Sequence, residues 1–266
     1  MPTLPTTPEY QVAAPTTSTK NALRAKPKPK PFPLNLYQTA VGKKWVMAIT
    51  GLILFGFVIA HMIGNLKLYL GLIEHNGEMA YDIDIYSEFL RQLLVPILPE
   101  GVVLWLLRIG LIAAMILHIH SAYTLNRMNQ ASNNRYESKR DYIAANFASR
   151  TMRYTGPIIL LYVVVHLLDL TIGKTFIASD EFVSGDVYAN VVHSLSRPAV
   201  AIGYIVANIA VCVHLFHGVS SAFQTLGVNN PSYNNVIKNA SAGIVGLILI
   251  GNLSFPIAVL AGVVDL

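Results

Sequence analysis

Residues 155–168 read TGPIILLYVVVHLL, an apolar run interrupted near its end by one histidine, His166. An ionisable side chain inside a membrane-length apolar segment is costly and marks a functional position unless a neighbour satisfies it. The arrangement occurs twice. Thr155-Gly156 is followed ten residues after the glycine by His166, and Thr50-Gly51 is followed ten residues after the glycine by His61. A costly residue repeated in the same setting points to a repeated binding site.

The surrounding composition sets the environment. Of 266 residues, 53% are hydrophobic and 12% charged, with mean hydropathy +0.50. Soluble domains carry roughly twice that charged fraction, so the composition predicts an all-α polytopic membrane protein. The single cysteine, Cys212, excludes an intrachain disulfide, an iron–sulfur cluster and a Cys-x-x-Cys-His attachment within this chain. Any metal centre must rest on other side chains.

Five apolar stretches reach bilayer length, at about 45–73, 101–128, 154–176, 198–226 and 240–264. They predict a five-helix transmembrane domain over 36–266, with a kink expected at Pro256 and a short interfacial helix within 81–94. Residues 1–35, rich in Thr, Pro and Lys, read as a disordered basic cytoplasmic arm with no secretory h-region. Fourteen of the 19 Lys and Arg fall before the first span (residues 1–44), in the second–third loop counted from Arg127, and in the fourth–fifth loop. Ten of the 14 acidic residues fall in the other two loops and at the C-terminus. The positive-inside rule therefore predicts a cytoplasmic N-terminus and an outside C-terminus in the cell inner (plasma) membrane. It also explains the net charge of +5 as topology, with no nucleic-acid partner.

Four of the five spans carry histidine. Helix rise gives their depths. His61 lies 17 residues beyond Lys44 and His166 lies 13 beyond Arg153, on helices that both start in the cytoplasm. His118 lies nine residues before Arg127 and His214 lies 13 before Gly227, on helices running the other way. Two layers result, an outer one from His61 and His166 and an inner one from His118 and His214. Two stacked bis-histidine haems in a helix bundle would require this arrangement. In the second span His118 and His120 are about 200° apart, so one of them faces a given site, whereas His214 and His217 are about 300° apart and share a face. Ala122 and Gly218, one turn after His118 and His214, leave room for a flat macrocycle and favour those two. His120 and His217 are then candidates for a propionate or a quinone.

At these residues the sequence resembles the five-helix, two-haem cytochrome b anchor subunit of succinate dehydrogenase and fumarate reductase. Arg153, Gly156 and His166 in the third span carry the resemblance. So do Ser196-Arg197-Pro198, His214, Gly218 and Gly227 in the fourth. It covers about residues 40–262 and implies two haem b groups, one held by His61 and His166, the other by His118 and His214. It also implies flavoprotein and iron–sulfur partner subunits on the cytoplasmic face and a quinone, menaquinone being plausible, as electron acceptor. The chain would anchor the complex and carry electrons, with no succinate chemistry of its own.

Two charged residues within the spans need partners. Arg108 and Asp169 lie at similar depth and are expected either to pair or to leave Arg108 to bind a haem propionate. Lys67 is expected to snorkel to the surface. Glu100, at the outer start of the second span, is one candidate for a quinone site. The inner end near His120, His217, Tyr123 and Arg127 is another. Two further classes share the intramembrane histidines: a two-haem cytochrome b of a hydrogenase or formate dehydrogenase, and a proton or metal transporter.

Overall fold

The computed structural model describes residues 31–32, 34–133 and 143–266, without side-chain detail at 132–133 and 143–150. The basic arm, apart from its last few residues, and most of the second–third loop lie outside the described residues. A one-turn helix α1 (Leu34–Tyr37) leads into α2 (Ala40–Asn65), which a 3₁₀ segment extends to Leu70. A hairpin of β1 (Leu72–His75) and β2 (Glu78–Tyr81) follows, then the short α3 (Asp82–Arg91). The long α4 (Val102–Asn133) and α5 (Ile143–Leu167) come next, and a π-helical segment prolongs α5 to Ile172. The short α6 (Val187–Leu195) precedes α7 (Pro198–Thr225) and α8 (Pro231–Leu260). Among the described residues five helices, α2, α4, α5, α7 and α8, are long and apolar enough to cross a membrane. The protein is an all-α polytopic bundle with one small hairpin.

The helices outrun the apolar stretches that announce them, mostly at one end. Thr39 caps α2 by accepting from the Gly42 N–H, so α2 begins five residues before Trp45. Asn230 accepts from the Ser232 N–H and Pro231 occupies the first turn, so α8 begins well before the apolar run at Ala240. A helix needs apolar side chains only where lipid surrounds it, so hydropathy underestimates its polar ends. At the other end of α2 the expected span to Ile73 is too long. Residues 72–73 belong to β1, because Asn76 and Gly77 adopt positive φ (55° and 86°) and close an Asn-Gly hairpin.

Helix neighbours define the bundle. α2 packs on α4, α7 and α8, and α7 packs on α5 and α8. Four helices thus occupy corners in the order α4, α2, α7, α5, with α8 outside against α2 and α7. Helices α2 and α5 make little direct approach to each other, as do α4 and α7, because they stand on diagonals. Lipid-facing positions such as Ile53, Leu106, Leu161, Val206 and Leu247 are exposed, as expected of surfaces that meet hydrocarbon.

One end of the bundle is closed by a folded cap. The 3₁₀ segment, α3 and α6 bury Leu68, Ile83, Val192 and Leu195 over Phe255 and Val259 of α8. Tyr81 and Tyr188 stack with centroids 3.6 Å apart. Lys67 does not simply snorkel: its Nζ lies 2.7 Å from the buried Asp82 carboxylate. Asp84 caps α6 from another element, its Oδ1 accepting from the Val187 and Tyr188 N–H groups at 2.6 and 3.0 Å. Burial pushes the Asp84 carboxyl above its ordinary value, against these two N–H groups, which lower it. A raised value means that the closed cap binds the proton more tightly than the open one. Its contribution to cap stability is full below the ordinary carboxylate range and is lost as pH rises through the raised value. Hydrogen exchange at Val187 and Tyr188, corrected for intrinsic rates, should therefore quicken over that rise. Asp84→Asn, which keeps the acceptor oxygen, should flatten the dependence, and Asp84→Ala should cost the cap about 1–2 kcal/mol at all pH values.

Candidate functional site: two histidine pairs on the bundle diagonals

The histidines of the four corner helices meet in two pairs. His61 of α2 and His166 of α5 have ring centroids 5.9 Å apart, with planes at 82°. His118 of α4 and His214 of α7 have centroids 6.2 Å apart, with planes at 66°. Each pair spans one diagonal, where the backbones stand apart and only the side chains reach across. The first pair lies towards the capped, acidic end and the second towards the basic end.

Local contacts fix which nitrogen each ring presents. His118 Nδ1 lies 3.0 Å from the Met47 carbonyl, which can only accept, so Nδ1 carries the proton. Thr155 donates its hydroxyl proton to the Thr151 carbonyl at 3.0 Å, and its oxygen accepts from His214 Nδ1, 3.2 Å away. Tyr204 donates to Asp169 Oδ2 at 2.9 Å, which turns its oxygen towards His166 Nδ1 as an acceptor at 3.4 Å. In all three histidines the protonated nitrogen is tied back and the Nε2 lone pair is free for a ligand. His61, with no hydrogen-bond partner among the described residues, stacks on Phe57 at 5.3 Å.

The Thr-Gly repeat has a different role from the one its position suggests. Thr50-Gly51 and Thr155-Gly156 do not open the helices that grip the His61–His166 pair. They lie inside α2 and α5 at the level of the other pair. Thr50 Oγ1 lies 3.4 Å from His118 Nδ1, and a Cβ on Gly51 would lie 3.1 Å from His118 Cε1. Thr155 holds His214. Each α2 and α5 thus gives a histidine to one layer and a threonine to the other.

The remaining candidates are dispersed. Arg108 does not meet Asp169. It lies 5.1 Å from the Trp105 ring, while Asp169 pairs with Arg197 at 2.8 Å. Arg197 stands at the N-cap of α7, within the Ser196-Arg197-Pro198 motif, which by itself does not reveal Asp169 as its partner. Tyr204 and Ser194, which also bond Asp169, carry no motif that singles them out. His120 is exposed, its Nδ1 held 2.5 Å from the Tyr37 hydroxyl, which also lies 3.1 Å from Ser121. The His217 ring lies 5.3 Å from that of Phe216. Glu100 is exposed in the turn before α4.

No three His, Cys, Asp or Glu side chains cluster among the described residues in a way that would hold a metal ion outright. Two imidazoles meeting across a gap could hold a metal whose other ligands come from a macrocycle. With nitrogen–metal bonds of about 2 Å, such rings have centres roughly 6 Å apart, as both pairs do. A cavity of roughly 80 Å³ adjoins the His61–His166 pair, lined among others by Tyr162, Leu170, Tyr204, Asn208 and Phe255.

Fold and site define a class: a polytopic five-helix membrane bundle with two transverse histidine pairs at different depths. Residues 126–253 match the family model of the succinate dehydrogenase/fumarate reductase transmembrane subunit. Over that segment, just under half of the chain, it is similar to a membrane subunit of that kind. The matched segment contains His166 and His214, and their partners His61 and His118 precede it. No curated protein and no solved structure matches the chain significantly.

The tight fit at Gly51 is testable through stability alone. Gly51→Val drives two methyl groups towards the His118 ring and should destabilise the detergent-solubilised protein by about 1–3 kcal/mol, the usual cost of overpacking. Gly56→Val, one turn on, has nothing within 4 Å of its Cβ and should leave the thermal midpoint in place.

Proposed function

We propose that this chain is the membrane-anchor and electron-transfer cytochrome b subunit of a succinate:quinone oxidoreductase. His61 and His166 would hold one haem b and His118 and His214 a second. Bound there, the haems would supply one-electron transfer between a cytoplasmic iron–sulfur subunit and a membrane quinone, with menaquinone the first candidate. The observation that carries the reading is the pair of diagonal histidine contacts, with Nδ1 tied back in three of the four rings.

The chain's own residues have three tasks in this reading. The histidines bind and orient. The apolar walls of α2, α5 and α7 exclude water. The cap of α3, α6 and the hairpin closes the acidic end, which the positive-inside rule assigns to the outside. The basic end then faces the cytoplasm, where flavoprotein and iron–sulfur subunits would dock. There the His120–Tyr37–Ser121 cluster offers hydrogen-bonding groups close to the His118–His214 layer. Asp169, neutralised by Arg197, no longer needs Arg108, which remains available for a propionate. The family match over residues 126–253 favours this assignment over a hydrogenase or formate dehydrogenase cytochrome, and the two histidine pairs favour it over a transporter.

Pyridine haemochrome analysis of the purified complex should give two haems b per chain. His61→Ala or His166→Ala should remove one haem and leave the other, and His118→Ala or His214→Ala should do the reverse. One haem per chain in the unaltered protein would reject the two-layer reading. Loss of a haem on His120→Ala, with retention on His118→Ala, would move the ligand one position in α4. Co-purification with a flavin-bearing subunit, and haem reduction by succinate, test the partner assignment.

A further inference from the structure

Asp169 is 1% exposed, three residues after His166, where the π-helical segment widens the helix. A carboxylate at such a position must be fully matched. Arg197 Nη2 donates to its Oδ1 at 2.8 Å, and the Ser194 hydroxyl and Tyr204 hydroxyl both donate to Oδ2. Arg197 is itself anchored, with Nη1 2.6 Å from the Ile177 carbonyl. The Tyr204 proton is therefore committed to Asp169, and its oxygen faces His166 Nδ1 at 3.4 Å. The result is a directed chain from the imidazole N–H through a tyrosine oxygen to a buried carboxylate. Among the described residues the other layer has no equivalent: His118 meets a backbone carbonyl and His214 a threonine hydroxyl.

We infer that Tyr204, backed by Asp169, is a positioning residue that sets the donor strength of His166 and so the reduction potential of the centre held by His61 and His166. The inference rests on the reading of that pair as axial ligands. An imidazole whose N–H is bonded towards an anion is a stronger donor through its other nitrogen, which favours the higher oxidation state of a bound iron. Arg197 balances the carboxylate charge, so the hydrogen-bond chain, and not a net field, transmits the effect.

The test is a redox titration of the complex followed by haem absorbance, with haem content per chain measured alongside. Tyr204→Phe keeps the ring and the Asp169–Arg197 pair and removes only the link. It should shift the midpoint of the His61–His166 centre upward, leave the other centre in place, and retain both haems. Asp169→Asn should shift the same midpoint in the same direction. Tyr162→Phe, altering a ring 5.7 Å from that of His166, should shift neither centre. An unchanged or lowered midpoint in either altered protein that keeps its haem overturns the inference. So does haem loss in both, which would make the pair merely structural, or an equal shift in Tyr162→Phe. If the unaltered protein has no haem that His166→Ala removes, the ligand reading itself fails and the inference falls with it.

Discussion

Placing an imidazole at hydrocarbon depth is the constraint on which this bundle turns. Each ring brings two polar nitrogens into a medium that offers no water. In three of the four rings Nδ1 is met by a carbonyl, a threonine or a tyrosine, and each ring meets a second one across a diagonal. On a diagonal the backbones stay apart while side chains converge. Three of the adjacent pairs pack closely: α2 against α4 and α7, and α7 against α5. Using both diagonals forces the pairs to different depths, since two pairs cannot cross at one level.

The same constraint explains the uneven ends. Near the cap, Asp169 introduces a charge, and the chain answers with an arginine, two hydroxyls and a folded cover from three separate segments. Asp84 and Tyr188 tie that cover together, Tyr188 donating to the Asp265 carbonyl at 2.9 Å. At the basic end no comparable cover appears among the described residues, and polar side chains such as Lys44, Ser221, Gln224 and Thr225 line an open groove between α2 and α7.

Much of this was legible in the sequence because depth in a membrane helix reduces to counting. Lysines and arginines mark the basic ends, rise per residue is fixed, and four histidines fall into two levels. The pairs found in the structure are the ones that counting brings together. What counting misses are partners recruited from outside the spans. Arg197 belongs to a helix cap, so its reach back to Asp169 depended on the fold of the third–fourth loop, which hydropathy does not report. Arg108 looked like the natural counter-ion because it shares a depth with Asp169. Depth alone says nothing of azimuth around the helix, and Arg108 is turned to Trp105 instead. The hairpin turn lies in Asn76-Gly77, but the apolar Leu72 and Ile73 of its first strand prolong the hydropathic run of the first span.

The Thr-Gly repeat shows how azimuth can be recovered. Eleven residues separate Thr50 from His61 and Thr155 from His166. At about 100° per residue, eleven positions return to within roughly 20° of the starting direction, three turns and about 16 Å further along. Threonine and histidine therefore share one inward stripe, and the spacing equals the separation of the two layers. A threonine at the level of the far layer can accept from its histidine while its own proton is spent on the helix backbone, as Thr155 does. The repeat is thus the imprint of a helix that must serve both levels from one face. Because α2 and α5 each link the layers in this way, the two histidine pairs share a single frame.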